Sequence, residues 1–265
     1  MINMLKEQVL NTIKKYDLIN ENDKIICGVS GGPDSICMLD ILKDLKEEFK
    51  FELIVCHVNH LIREEAISDE EYVVNYCKVN NIKCYVKRID VKKYADNNKQ
   101  GTEEAGRNVR YEFFEEILQK EGANKIAIAH NKNDKIETII MNMLRGSGIS
   151  GLKGIEPKRE NKYIRPLIET ERTSIEEYCK EKNLRPRIDK TNFINDCTRN
   201  KIRNVVIPYI KNEFNPNIIN TMDRLSSIIE EENRYLEKIT IDVFEKLKIK
   251  EEKGYRWTRF WTAKT

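Results

Sequence analysis

The sequence predicts an α/β fold in which a twisted parallel sheet carries helices on both faces, followed by a short α-helical C-terminal segment. Three observations lead there. Short apolar runs at residues 24–27, 51–56, 84–89 and 125–130 alternate with stretches of helical periodicity, the pattern of successive βαβ units. The first run enters the turn Gly28-Val29-Ser30-Gly31-Gly32-Pro33-Asp34-Ser35 and then an apolar-periodic helix over 36–45. Polar residues follow the strand ends, His57-Val58-Asn59-His60 after the second and His130 at the fourth, where open α/β sheets place ligands.

At the N-terminus Leu5, Val9, Ile13 and Tyr16 recur at helical spacing with Lys6, Glu7, Lys14 and Lys15 between them. That is an amphipathic helix and not a signal peptide. The Gly-rich turn then aims backbone N–H groups and the positive end of a helix dipole at one spot, which suits a phosphate. Ser30 and Ser35 add hydroxyls, Gly31 and Gly32 allow close backbone approach, and Asp34 can hold a metal or order the loop. The alternative is plain helix capping by Asp34 and Ser35. His57 and His60 invite a zinc reading, but no third ligand stands at suitable spacing.

Residues 64–80 have helical spacing, with Ala66, Tyr72, Val73, Tyr76 and Val79 near one face, and 92–100 is a polar loop closed by Gly101. Thr102 is expected to cap a helix carrying Glu103, Glu104, Arg107, Arg110 and Tyr111. Arg107 and Arg110 share a face, either as solvated charge or as phosphate neutralisers. After the fourth strand, a helix opening at 133 places Asp134 and Glu137 on one face of its first turn. Helix capping, or binding of a metal or an amine, would both use that pair. Residues 144–155 hold Gly146, Gly148, Gly151 and Gly154 and read as a flexible loop. A fifth strand over 162–168 belongs at a sheet edge because of Pro166, and 171–183 is another helix.

Between 185 and 203, Arg185, Arg187, Lys190, Arg199, Lys201 and Arg203 face only Asp189 and Asp196. With Asn192, Asn195, Asn200 and Asn204 interleaved, this is either a solvated basic face or a contact for phosphates and a base edge. Residues 217–247, after Asn215-Pro216, form one long amphipathic helix or two separated by a kink. The tail keeps Trp257, Phe260 and Trp261 with little chain to bury them.

The formal net charge is only +3, so local charge says more about partners than the total. No apolar run approaches the roughly 20 residues of a membrane span. Seven cysteines without a CxxC pair argue for free thiols in a reducing, cytoplasmic setting.

The Ser30 to Ser35 stretch resembles the SGGxDS signature of the PP-loop ATP pyrophosphatases, a Rossmann-like superfamily. The wider set is similar to the tRNA(Ile)-lysidine synthetase family: His57 to His60 with Arg63; Glu104 to Arg107 with Arg110 and Tyr111; Ala129 and His130 with Asp134, Glu137 and Thr138; Leu144 to Gly148 with Gly151, Leu152, Gly154 and Ile155; and Asp189, Thr191, Asn192, Arg199, Asn200, Ile202, Arg203 and Pro208. Gly106, Leu61, Asn131 and Cys197 depart from that pattern, Asn131 standing where a second His is common.

The resemblance implies a catalytic domain over 1–212 and a helical linker or truncated accessory domain over 213–265. It implies adenylation of the C2 oxygen of the wobble cytidine of a tRNA(Ile) with a CAU anticodon, then attack by the ε-amine of free L-lysine, with release of pyrophosphate and AMP. ATP would be the co-substrate and Mg²⁺ the metal, held by Asp34. Ser30, Gly31, Gly32, Pro33, Asp34, Ser35, His57, Asn59 and Arg107 would bind the nucleotide. Asp34, Arg107, Asp134 and Glu137 would be catalytic, the last two meeting the lysine amine. Gly146, Ser147, Gly148, Asp189, Asn192, Arg199, Asn200 and Arg203 would hold the tRNA. No membrane is implied, and the oligomeric state stays open, a dimer included. The alternatives are another PP-loop tRNA-modifying enzyme such as a thiolase, an amide ligase, or an ATP- and tRNA-binding module impaired in catalysis.

Overall fold

The computed structural model describes residues 2–61, 66–187 and 197–251, with side chains described through 246. Arg63, Asp189, Lys190, Thr191, Asn192, Asn195 and Asp196, and the aromatic residues of the tail, lie outside the described residues. In chain order the elements are α1 (Ile2–Lys15), β1 (Lys24–Gly28), α2 (Pro33–Phe49), β2 (Glu52–Asn59), α3 (Ala66–Val79), β3 (Lys83–Arg88), α4 (Val91–Asn98), α5 (Thr102–Glu121) and β4 (Lys125–Ala127). There follow α6 (Lys132–Leu144), α7 (Ile149–Leu152), β5 (Lys158–Arg159), β6 (Tyr163–Ile164), α8 (Arg172–Glu181), α9 (Thr198–Lys201), a π-helical turn (Ile202–Val206), α10 (Ile207–Glu213) and α11 (Ile218–Glu251).

The sheet order is β3-β2-β1-β4-β6-β5. Pairs β1/β2, β1/β4, β2/β3 and β4/β6 are parallel, and β5 runs antiparallel to β6. Alternate residues of each strand go to opposite faces. Ile25, Cys27, Leu53 and Val55 pack with α1, α2 and α8, whereas Ile26, Ile54, Cys56 and Ile126 pack with Phe113, Phe114 and Ile117 of α5. Helices therefore cover both faces, as an apolar parallel sheet requires. The predicted fold class holds, with the antiparallel edge strand as an addition to it.

Four local expectations change. The polar stretch after β3 is helical as α4, because Asp90 accepts from the Lys93 amide, Lys99 closes it in the left-handed region, and Val91 and Ala95 bury one face. Gly101, not Thr102, is the N-cap of α5. The Gly-rich loop contains a helical turn, α7, held by the Asn142 amide donating to the Gly151 carbonyl at 2.8 Å. The fifth predicted strand is reduced to Tyr163–Ile164 and lies inside the sheet, and β5 takes the edge.

The long C-terminal helix is continuous from Ile218. Its first turns share a core with α6 through Ile136, Ile139, Ile140, Ile207 and Ile219. Lys135 Nζ lies 2.9 Å from Asp223 of α11, and the Ser226 hydroxyl donates to the Lys153 carbonyl at 2.8 Å.

Behind the signature helix, the buried carboxylate of Asp40 accepts from Tyr76 (2.6 Å), Tyr178 (2.7 Å) and Lys43 (2.7 Å). Those bonds tie α2 to α3 and α8, which fixes the direction in which the N-terminus of α2 points.

Candidate functional site

Strand order reverses at β1, with β2 on one side and β4 on the other. A cleft of about 580 Å³ opens at their C-terminal ends, the place where open α/β sheets take ligands. Its floor is Gly28, Val29, Cys56, Val58, Ile128 and Ala129, with Phe114 and Arg110 from α5, and His57, His60 and His130 on its walls. Gly28 is required there, since a Cβ would stand 2.6 Å from the Phe114 ring.

The signature loop sits at one end of this cleft. Gly31 has φ +92, a conformation costly for any side chain. The Ser35 hydroxyl donates to the Gly32 carbonyl at 3.0 Å and lies 3.1 Å from the Ser30 hydroxyl, so the turn is shaped by its own serines. Neither Ser35 nor Asp34 caps α2. Its N-cap is Gly32, without a side-chain hydrogen bond, so the first amides of α2 are left for an anion from outside.

Asp34 turns instead toward Asn131, whose amide donates to it at 2.8 Å. Asn131 is fully buried and forms a reciprocal capping box with Asp134 at the start of α6. Asn131 therefore joins α2 to α6. Burial, and then the neighbouring Asp134, raise the Asp34 pKa, opposed by Arg172, Asn131 and Arg203. A raised carboxylate pKa means that the folded state binds more protons than the unfolded chain above the ordinary value near 3.9, so stability falls as pH rises through that window. Asp34→Asn should accordingly melt higher than the wild type at pH 7 without nucleotide. Thermal melts at pH 4 and pH 7 measure this, and a variant less stable than wild type at pH 7 would contradict it.

A second cluster stands on α6. Glu137, only 1% exposed in its side chain, receives both Nε (2.6 Å) and Nη2 (2.7 Å) of Arg203, and Nη2 also reaches Asp134 at 3.0 Å. Arg172 donates to Asp134 at 3.3 Å, and Arg199 donates to the Thr138 hydroxyl at 2.8 Å with its Nε 3.6 Å from Glu137. Asp34, Asp134 and Glu137 thus face Arg172, Arg199 and Arg203, three charges against three. Arg203 lies in the π-helical turn, a distortion frequent at functional positions.

The histidines are held neutral. The Nδ1–H of His57 donates to the Val29 carbonyl at 2.8 Å, and burial lowers its pKa. His60 is pushed down to about 4 by burial and by Arg110. His130 is also pushed down to about 4, chiefly by burial and with help from Arg165, Arg199 and Arg107 against Asp134. Its Nδ1 accepts from Arg165 Nε at 3.1 Å, which leaves its Nε2 as the N–H.

Of the residues expected at the site, Ser30, Gly32, Asp34, Ser35, His57 and Asn59 line the cleft. Asn59 spends its amide on the Ala66 carbonyl and Glu70, organising the chain after β2. Arg107 is outside the lining and stacks over Tyr111 at 4.9 Å, while Arg110 takes the place in the cleft. Gly146, Ser147 and Gly148 are exposed beyond the end of α6, and Asn200 lies on α9. Arg199 and Arg203 turn inward onto Thr138, Asp134 and Glu137, which sets aside the solvated-face alternative for these two residues. Arg172 and Asn131 were not anticipated as site residues. The only sequence signal was the Asn at 131, where the resembled pattern commonly has a second His.

Asp34 stands at the uncapped helix N-terminus, while the Asp134 carboxylate is already engaged by the Asn131 amide, Arg172 and Arg203. Mg²⁺ is commonly held by one or two carboxylates together with substrate phosphates, so Asp34 fits such an ion. Among the described residues no group of three or more His, Cys, Asp or Glu side chains is arranged for a metal, and no helix is long and apolar enough to cross a membrane.

Known proteins resemble this chain in sequence and in fold. The chain is 53% identical over 232 residues to a tRNA(Ile)-lysidine synthase of Clostridium acetobutylicum, covering 87% of this chain and 50% of that protein. It is 47% identical over 253 residues to a protein of the same name from Clostridioides difficile, covering 95% and 55% respectively. The chain spans about half the length of the curated relatives it matches. Among solved structures, a U34-tRNA thiolase from Methanococcus maripaludis with its [4Fe-4S] cluster superposes with a TM-score of 0.65 at 21% identity, over 84% of this chain and 78% of that one, a likeness of fold. The model of the PP-loop domain family matches residues 2–210, from α1 through the signature loop to α10, and the chain belongs to that family.

Proposed function

We propose that this chain performs lysidine synthesis on a tRNA(Ile) with a CAU anticodon, using ATP and free lysine. The observation that carries the reading is the uncapped α2 N-terminus standing beside the Asp134–Glu137 cluster, joined to it through Asn131, an arrangement that would set a site for an anion beside a site for an amine. The names of the similar proteins support the choice of substrate.

ATP would lie in the cleft, its base over the apolar floor at Phe114, Val58 and Ile128, its phosphates on the amides of α2 with Ser30 and Ser35. Arg110, on the wall, can neutralise phosphate charge as the phosphorus is attacked. A bound Mg²⁺ at Asp34 would supply charge stabilisation of the leaving pyrophosphate. The C2 oxygen of the cytidine bonds to the α-phosphorus and pyrophosphate leaves. The lysine ε-nitrogen then bonds to C2, and the C2–O bond breaks as AMP departs.

An ammonium must lose a proton before it attacks. Asp134, more exposed than Glu137, is the carboxylate able to receive it, and Glu137 is fixed in place by Arg203. Unstacked loop bases such as a wobble cytidine can be splayed into a site of this kind.

Incubation of the chain with ATP, Mg²⁺, the tRNA and labelled lysine tests the proposal. Label should enter tRNA with pyrophosphate released in equal amount. Pyrophosphate formation with no lysine requirement and no label in tRNA would favour the thiolase or amide-ligase alternatives.

A further inference from the structure

Tyr111 of α5 is surrounded by guanidinium groups that the nucleotide cleft does not use. Arg107 stacks on its ring at 4.9 Å with Nη2 3.4 Å from its hydroxyl. Arg159, on edge strand β5, stands 5.7 Å from the same ring and 4.3 Å from the Tyr163 ring, and the two rings are 5.3 Å apart. Among the described residues Arg165, 5% exposed, donates to neutral acceptors, the Glu156 carbonyl at 2.5 Å and His130 Nδ1 at 3.1 Å, and interacts with the Tyr111 side chain.

The positive charge of this group is poorly compensated. Among the described residues neither Arg107 nor Arg165 has a carboxylate at ion-pair distance. Among the described residues Arg159 has Glu160 at ion-pair distance, 63% exposed and 3.4 Å from Nε, in a geometry that leaves that buried Nε without a hydrogen bond, and Glu115 feels its charge while its carboxylate is taken by Lys162 and the Tyr163 hydroxyl. Burial, together with repulsion from Arg159 and Arg107, works against the charge on Arg165. A buried guanidinium with no counter-ion is costly. An arriving anion would relieve that cost.

We propose that Arg107 and Arg159, gathered around Tyr111 and Tyr163 at the β5–β6 edge and backed by the buried charge of Arg165, form a binding face for the phosphodiester backbone of single-stranded RNA beside the target nucleotide. This rests on the reading of the chain as an RNA-modifying enzyme. The face starts at the cleft wall, because Arg165 holds His130, and it runs outward to the last strand of the sheet. The nucleotide phosphates already have the α2 N-terminus and Arg110 inside the cleft, whereas Arg107 and Arg159 lie outside its lining. The rings hold the guanidinium planes by cation–π contact, and planar forks fixed in advance suit phosphate oxygens. Tyr163 is 4% exposed, so the rings serve as backing for the arginines and not as stacking platforms for bases.

The test compares wild type, Arg159→Ala and Arg159→Lys for binding of unmodified tRNA over a salt series, with ATP and inorganic pyrophosphate titrated separately. Arg159→Ala should weaken tRNA binding about tenfold and reduce the salt slope by about 0.7, with ATP and pyrophosphate binding unchanged. Arg159→Lys should recover the salt slope and only part of the affinity. Unchanged tRNA affinity in Arg159→Ala would overturn the face. A loss of ATP or pyrophosphate binding equal to the loss of tRNA binding would assign it to nucleotide phosphates and overturn it too. A wild-type chain that binds ATP but no tRNA would overturn the enzymatic reading, and the face with it.

Discussion

Arg203→Met should lower the stability of the chain by about 3 kcal/mol, because it leaves the buried carboxylate of Glu137 without its bidentate partner. For a domain of this size that corresponds to a fall in melting temperature of roughly 6–12 °C. The double substitution Arg203→Met with Glu137→Met should recover part of the loss, since a buried ion pair and an apolar pair of similar volume are often close in stability, while Arg199 and Arg172 lose Glu137 as a neighbour. Thermal melts of the two single variants and the double variant give the coupling directly. Strictly additive losses would show that the pair is not a unit. The same substitution should abolish lysidine formation, as Arg203 also positions Asp134 at 3.0 Å.

Asp134→Asn should lower lysidine formation by about 10²–10⁴-fold while leaving the adenylation half-reaction in place. The amide keeps an oxygen able to accept from the Asn131 backbone N–H but turns an NH2 toward Arg172 and Arg203, so thermal melts of the variant accompany the rate measurements. It removes the negative charge that would attract an ammonium and take its proton. Exchange of labelled pyrophosphate into ATP, dependent on tRNA, reads the first step alone. Retained exchange with lost lysine incorporation is the expected pattern. Wild-type turnover, or loss of both activities together, would exclude the role given to Asp134.

The fold was legible in the sequence where local pattern and global fold agree. Apolar strands such as Ile25 to Cys27 and Leu53 to Cys56, and the Gly31-Gly32-Pro33 turn, each show a period or a breaker within a few residues. Helix α4 was illegible because its buried face is only Val91 and Ala95, too short for a periodic signal. Strands β5 and β6 are two residues each, set by the neighbours they pair with and not by their own composition.

The site divides in the same way. Ser30 to Ser35 announce a phosphate cradle through residue type and spacing. The pairing of Arg203 with Glu137 joins residues 66 positions apart, and a run of basic residues carries no sign of which cations turn inward. Arg107 and Arg110 were indistinguishable by spacing, and only the packing of α5 on the sheet sends Arg110 to the cleft and Arg107 to Tyr111.

The measurement closest to the central claim follows one oxygen atom. With the target cytidine labelled with ¹⁸O at C2, adenylation of that oxygen followed by lysine attack must carry the label into AMP, one ¹⁸O for each lysidine formed. Mass spectrometry of the AMP reads it. AMP free of the label, alongside lysidine formation, would contradict activation of the C2 oxygen at this site.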